Sequence, residues 1–130
     1  MNKPVIITGL RANGELHLGN YLGGMLPMVQ LQKKGLTAAW KLLKPGGTLV
    51  YSTCTMAPEE NEAVVDYLLS RNEDARLEAC NIQLPNQYPA VQSWNGKAYK
   101  SDLSNCVRLA PSELVEAFFV AKITKLHLTD

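Results

Sequence analysis

Apolar runs alternate along the chain with polar and glycine-rich stretches, and this predicts strands and helices in turn. Val5-Ile6-Ile7-Thr8 is a short β-branched run before Gly9, the pattern of a buried strand. Arg11 to Gly19 is rich in glycine and polar residues and reads as a loop. From Tyr21 to Lys34, Leu22, Leu26, Val29 and Leu31 recur near helical spacing, while Pro27 argues for a kink or a late start. Gly35 interrupts the pattern. Leu36 to Lys44 resumes it through Ala38, Ala39, Trp40, Leu42 and Leu43, and Lys44-Pro45-Gly46-Gly47 is a stop and turn.

Thr48 to Thr53 predicts a second buried strand. Pro58 predicts a helix start, with Glu59, Glu60 and Glu62 in the first turns, where the helix dipole favours acids. Val64, Val65, Leu68 and Leu69 make its inner face. Arg76 to Ile82 is a third strand. Leu84 to Pro111 is polar, carries Pro85, Pro89 and Asn95-Gly96, and reads as a long loop. Ala117 to Ile123 is a fourth strand, apolar and aromatic. The order β, helix, β, helix, β, loop, β is an α/β pattern. Its first β-helix-β unit crosses over right-handed to make parallel neighbours. The loops Leu10 to Asn20 and Cys54 to Pro58 then open at one carboxyl edge of the sheet, where open α/β sheets bind ligands.

Composition narrows this picture. At 130 residues the chain has the length of one domain, and 46% hydrophobic with 19% charged residues is an ordinary globular balance. A net charge of +1 gives no overall excess that argues for nucleic acid. No run reaches the roughly 18 apolar residues that span a bilayer. Cys54, Cys80 and Cys106 are odd in number and widely spaced, neither a disulfide framework nor a zinc pattern. The expectation is a cytoplasmic protein with reduced thiols, no metal and no membrane partner.

Two stretches carry chemistry. Gly14-Glu15-Leu16-His17-Leu18-Gly19-Asn20-Tyr21 joins a strand to a helix start, where free backbone N–H groups can meet an anion. Taken from Thr8 to Gly23 it resembles the N-terminus of bacterial tryptophanyl-tRNA synthetases, over residues 1–34. That resemblance implies a HIGH signature at His17-Leu18-Gly19-Asn20. His17 and Asn20 would contact ATP phosphates and Gly19 the adenine. The rest of that enzyme has no counterpart here.

The second stretch is Ala38-Ala39-Trp40-Lys41-Leu42-Leu43-Lys44-Pro45-Gly46-Gly47-Thr48-Leu49-Val50-Tyr51-Ser52-Thr53-Cys54-Thr55, then Pro58-Glu59-Glu60-Asn61-Glu62. With Trp94 to Tyr99, Arg108 to Pro111 and Glu116 to Lys122, it resembles the C-terminal part of the NOL1/NOP2/Sun RNA 5-methylcytosine methyltransferases, over residues 36–125. Carbon 5 of cytosine is a poor nucleophile, and a thiolate adding at carbon 6 turns it into an enamine-like carbon. Cys54 ends a strand just before a helix N-terminus, a setting that favours a thiolate. The resemblance makes Cys54 that nucleophile and implies an antiparallel last strand. Lys97, Lys100, Arg108 and Lys122 are candidates for an RNA-facing patch. Cys80, alternating with Leu77, Ala79 and Ile82, reads as core.

That family holds S-adenosylmethionine on a glycine loop and acids of earlier strands, and nothing before Leu36 matches them. A second, product-releasing cysteine is also missing, since the strand Val5 to Thr8 ends in Gly9-Leu10. These readings predict a small Rossmann-like partial sheet of about four strands, mostly parallel with an antiparallel last strand. They predict one composite domain over 1–130, with a synthetase-like segment at 1–35 and a methyltransferase-like segment at 36–125. The functional expectation is a non-catalytic chimera that binds no cofactor. The alternative is a residual S-adenosylmethionine-dependent RNA cytosine-C5 methyltransferase fragment using Cys54. A second alternative is ATP or phosphate binding by the His17 loop. A thinly covered sheet face favours a homodimer or strand-exchanged oligomer, with weak RNA binding at most.

Overall fold

The computed structural model of the protein describes residues 5–8, 18–113 and 116–127. The first unit is β1 (Val5–Thr8), α1 (Leu18–Leu42) and β2 (Thr48–Thr53). β1 lies parallel to β2, with Val5 opposite Leu49 and Thr8 opposite Ser52, as the crossover argument requires. α1 is one helix of 25 residues that runs through both Pro27 and Gly35. Its end is closed from across the fold. Lys125 Nζ donates to the carbonyls of Trp40 at 2.8 Å and Leu43 at 2.9 Å, both at the helix end, where helical carbonyls run short of backbone donors. Gly46, at φ 84°, takes the left-handed conformation that the turn into β2 needs.

After β2 come α2 (Glu62–Arg71), β3 (Ala75–Glu78), β4 (Gln87–Pro89), β5 (Ser93–Trp94), β6 (Lys97–Ala98), β7 (Val107–Leu109) and β8 (Phe118–Lys125). β8 pairs antiparallel with β2, β3 and β7, and β4 pairs antiparallel with β7. The predicted mostly parallel sheet of four strands is therefore corrected. Among the described residues, six strands form the sheet and only the β1–β2 pair is parallel. The physical reason is that β8, the longest strand, runs back beside β2 and offers its other edge to two shorter strands in series. The region read as a loop, Leu84 to Pro111, holds four of the strands. Each has two or three residues, too few to show an alternation. Asn95 and Gly96, both at positive φ, make the tight β5–β6 turn.

The core lies on one face of the sheet. Leu49 and Tyr51 of β2 and Phe119, Ala121 and Ile123 of β8 alternate inward there. Leu36, Trp40 and Leu43 of α1 and Val64, Val65 and Leu68 of α2 cover them. Tyr51 and Phe119 meet edge to face with centroids 6.3 Å apart. The other face carries Val50, Val120 and Thr124, all half-buried, and Lys122, which is exposed.

Candidate active site

Cys54 is the first residue past β2, and its neighbours explain its place. β1 and β2 are parallel and in register to Thr8 and Ser52, so both end at one edge of the sheet. Of the three cysteines Cys54 is exposed, Cys80 half-buried and Cys106 buried. α2 begins at Glu62 rather than at Pro58. Residues 58–61 make a turn, closed by Asn61 N donating to Pro58 O at 3.2 Å and Ala63 N to the same oxygen at 2.9 Å.

The loop between Cys54 and that turn is fastened from below. Asn61 is fully buried. Its Oδ1 accepts from the Thr53 hydroxyl, and its Nδ2 donates to Thr55 O at 2.8 Å. The Thr55 hydroxyl accepts from Ala57 N at 3.1 Å. Arg108 Nη1 donates to Met56 O at 2.9 Å. Its Nε and Nη2 grip the two oxygens of Glu62 as a buried, bidentate ion pair. Glu62 Oε2 also accepts from Val91 N at 2.9 Å. Sheet register brings these groups together. Thr53 stands opposite Phe119, and Phe119 opposite Arg108, so Thr53 and Arg108 flank Phe119 in one row under the start of α2.

Arg108 was a candidate for an RNA-facing patch, and that expectation is corrected. The side chain is 6% exposed and committed to Glu62 and Met56. Lys97, Lys100 and Lys122 are exposed. Cys80 is half-buried, and burial raises its thiol above the ordinary value, against a backbone hydrogen bond and the charge of Lys122. Cys106 belongs to the apolar core. Burial, then the carboxylate of Glu62, pushes its thiol well up, with Arg108 acting the other way. Of the synthetase-like positions, His17 lies outside the described residues, and Gly19 and Asn20 are backbone positions in the first turn of α1.

The sequence reading missed Asn61, Glu62 and Arg108 as a unit. The acids of Pro58-Glu59-Glu60-Asn61-Glu62 were assigned to the helix dipole, yet Glu62 is fully buried. No local signal pairs Glu62 with a residue 46 positions away.

Comparison with known proteins decides the family. The sequence model of the family described as 16S rRNA methyltransferase RsmB/F matches residues 11–124. The chain belongs to this family. A tRNA (cytosine(49)-C(5))-methyltransferase of Pyrococcus abyssi is 46% identical over 97 residues, covering 74% of this chain and 30% of that protein. A ribosomal RNA small subunit methyltransferase B of Escherichia coli is 39% identical over 98 residues, covering 75% and 19%. The chain thus spans less than a third of the length of either relative. A methyltransferase homolog of Pyrococcus horikoshii superposes with a TM-score of 0.78 at 31% identity, over 95% of this chain and 39% of that one. The structure of NSun6 from Pyrococcus horikoshii with SFG gives 0.64 at 28% identity, over 98% and 29%.

The RsmB/F match overturns the expectation of a non-catalytic chimera. It starts at residue 11 and ends at residue 124, on either side of the supposed join near residue 35. Neither of these two relatives and neither of these two structures is a tryptophanyl-tRNA synthetase or is named for ATP. The synthetase resemblance rested on the short stretch Thr8 to Gly23, and a strand, loop and helix form a unit that many α/β folds share. The RNA cytosine-C5 methyltransferase alternative fits the family. Among the described residues no helix is long and apolar enough to cross a membrane.

Proposed function

We propose that this chain is the nucleophile-bearing part of an RNA cytosine-C5 methyltransferase, with Cys54 as the attacking group. The observation that carries the reading is an exposed thiol at the carboxyl end of β2, on a loop whose carbonyls are held from beneath by buried side chains. The family and the names of the relatives support the same substrate class, a cytosine base in RNA. The thiolate of Cys54 adds to carbon 6 and forms an S–C bond. The carbon 5–carbon 6 double bond opens, and its electron pair moves to carbon 5, which becomes nucleophilic enough for methylation.

The cofactor implied by the family resemblance, S-adenosylmethionine, needs free carboxylates at the sheet edge. Among the described residues, three carboxylates lie close to the Cys54 loop in sequence, and only Glu62 has both oxygens engaged by one partner. Glu59 accepts from Trp94 Nε1 at 2.7 Å, Glu60 from Gln32 Nε2 at 3.2 Å, and Glu62 is held by Arg108. The step derived from this chain's own residues is the addition of the thiolate.

That step can be measured without a methyl donor. In D2O the adduct takes a deuteron at carbon 5. Loss of the original carbon 5 proton and expulsion of the Cys54 thiolate then return a deuterated cytosine. Mass spectrometry of a cytosine-containing tRNA or rRNA fragment is expected to show deuterium at carbon 5 with this protein and none with Cys54→Ala. Equal exchange with both proteins, or none with either, would refute the assignment.

A further inference from the structure

The Glu62–Arg108 pair is a poor device for stability alone. Removing two charges from water costs several kcal/mol per ion, and matched apolar residues often serve as well. Burial of the pair therefore calls for a geometric explanation, and the third arm of Arg108 supplies one. Two guanidinium nitrogens are fixed on Glu62, which leaves Nη1 aimed at Met56 O, two residues past Cys54. Asn61, immediately before Glu62, does the same for Thr55 O, one residue past Cys54, and accepts from Thr53, one residue before it. Buried side chains thus hold the residues on both sides of Cys54, while Cys54 itself stays exposed.

We propose that Arg108, locked by Glu62, and Asn61, tied to Thr53, are positioning residues that set the backbone of the Cys54 loop and so aim its thiol. This rests on the reading of Cys54 as nucleophile only for its catalytic consequence; the loop geometry is tested without RNA. A planar guanidinium is required because one group must serve both carboxylate oxygens and a carbonyl, which a point-like ammonium cannot do. Charge alone is therefore not enough.

The test uses the full chain, Arg108→Lys, Asn61→Ala and the double variant Glu62→Leu/Arg108→Met. The double variant removes the whole ion pair and leaves no buried charge alone, so it keeps the experiment informative if single variants fail to fold. Amide hydrogen exchange is read at Thr55 and Ala57 in the loop, and at Val64, Val65 and Ile123 outside it. Exchange at the loop amides is expected to rise about tenfold in the double variant, the effect of one lost buried hydrogen bond. Exchange at the other amides and the urea midpoint should stay close to those of the parent. Carbon 5 exchange of cytosine should fall in parallel with loop order. Unchanged loop amides in a folded double variant would overturn the proposal and make the pair a packing element. Loose loop amides with no RNA exchange in the parent protein would uphold the positioning and refute the nucleophile.

Discussion

Cys54 and Cys106 are the same side chain in opposite surroundings. Cys106 sits in the apolar cluster with Leu103, Val64 and Phe119, where burial raises its thiol and keeps it neutral. Cys54 is exposed at a strand end, above a layer of buried polar groups rather than above leucines and valines. The comparison shows how one small fold gives two thiols opposite environments. Apolar contacts hold the sheet to its two helices. A short polar row, Thr53, Asn61, Glu62 and Arg108, holds the loop that presents the thiol. The same row also explains why residues so far apart in sequence converge, since β7 reaches β2 only through β8.

The sharpest way to break this contrast is to strand one charge. Glu62→Ala leaves the Arg108 guanidinium buried without its partner and is expected to destabilise the fold by about 3–5 kcal/mol. Urea unfolding measures it. A loss below about 1 kcal/mol would mean that water reaches the pair and that the row is not a buried layer.

A second effect concerns the buried acids of the core. Burial raises the Cys106 thiol above its ordinary value of 9.0, and burial with the nearby Glu60 raises the Tyr51 phenol above 10.0. In the unfolded chain both groups ionise near those ordinary values, while in the fold they do not. Their contribution is thus fully present below the unfolded values and is lost as pH rises from there toward the folded ones. The urea midpoint is expected to fall from about pH 9 upward, and Cys106→Ala should flatten the first part of the decline. A midpoint that stays level across that range would show that the core does not exclude these charges.

The smallest expected change lies on α1. Gly35 is exposed, and a methyl group there would meet no atom within 4 Å. Gly35→Ala should stabilise the helix by about 0.5–1 kcal/mol and leave Cys54 chemistry untouched. At Gly47 the same methyl would come within 2.9 Å of Lys44 O, so Gly47→Ala should destabilise. A thermal scan of the two variants moving in the same direction would contradict this account of the α1 end.

The long-range part of the fold was readable where periodicity had length to act. β1, β2, β8 and both helices follow runs of apolar residues, and the β1–β2 pairing follows from handedness. The strands β4 to β7 were hidden because two or three residues carry no period, and the Asn95-Gly96 turn was the one local mark of the β5–β6 hairpin. Strand direction was right for β8, antiparallel as the family resemblance implies, and wrong for the sheet as a whole. Nothing within Arg76 to Glu78 tells which way a neighbour runs, and the long return of β8 decides it. At the proposed site, the motif singled out Cys54, and the structure leaves its side chain exposed at the end of β2. Arg108 was misplaced because its buried partner lies on a helix far away in sequence, and a lone arginine looks like a surface charge until that partner is known.

The central claim is that Cys54, and neither of the other thiols, attacks a cytosine ring. Incubation with an RNA fragment carrying 5-azacytosine tests this most directly. Nitrogen in place of carbon 5 lets the ring accept the thiolate at carbon 6 and a proton at nitrogen 5, without any methyl donor. Denaturing mass analysis with peptide mapping is expected to find the RNA on Cys54 and to lose it in Cys54→Ser. An adduct on Cys80, or no adduct on a folded protein, would contradict the account.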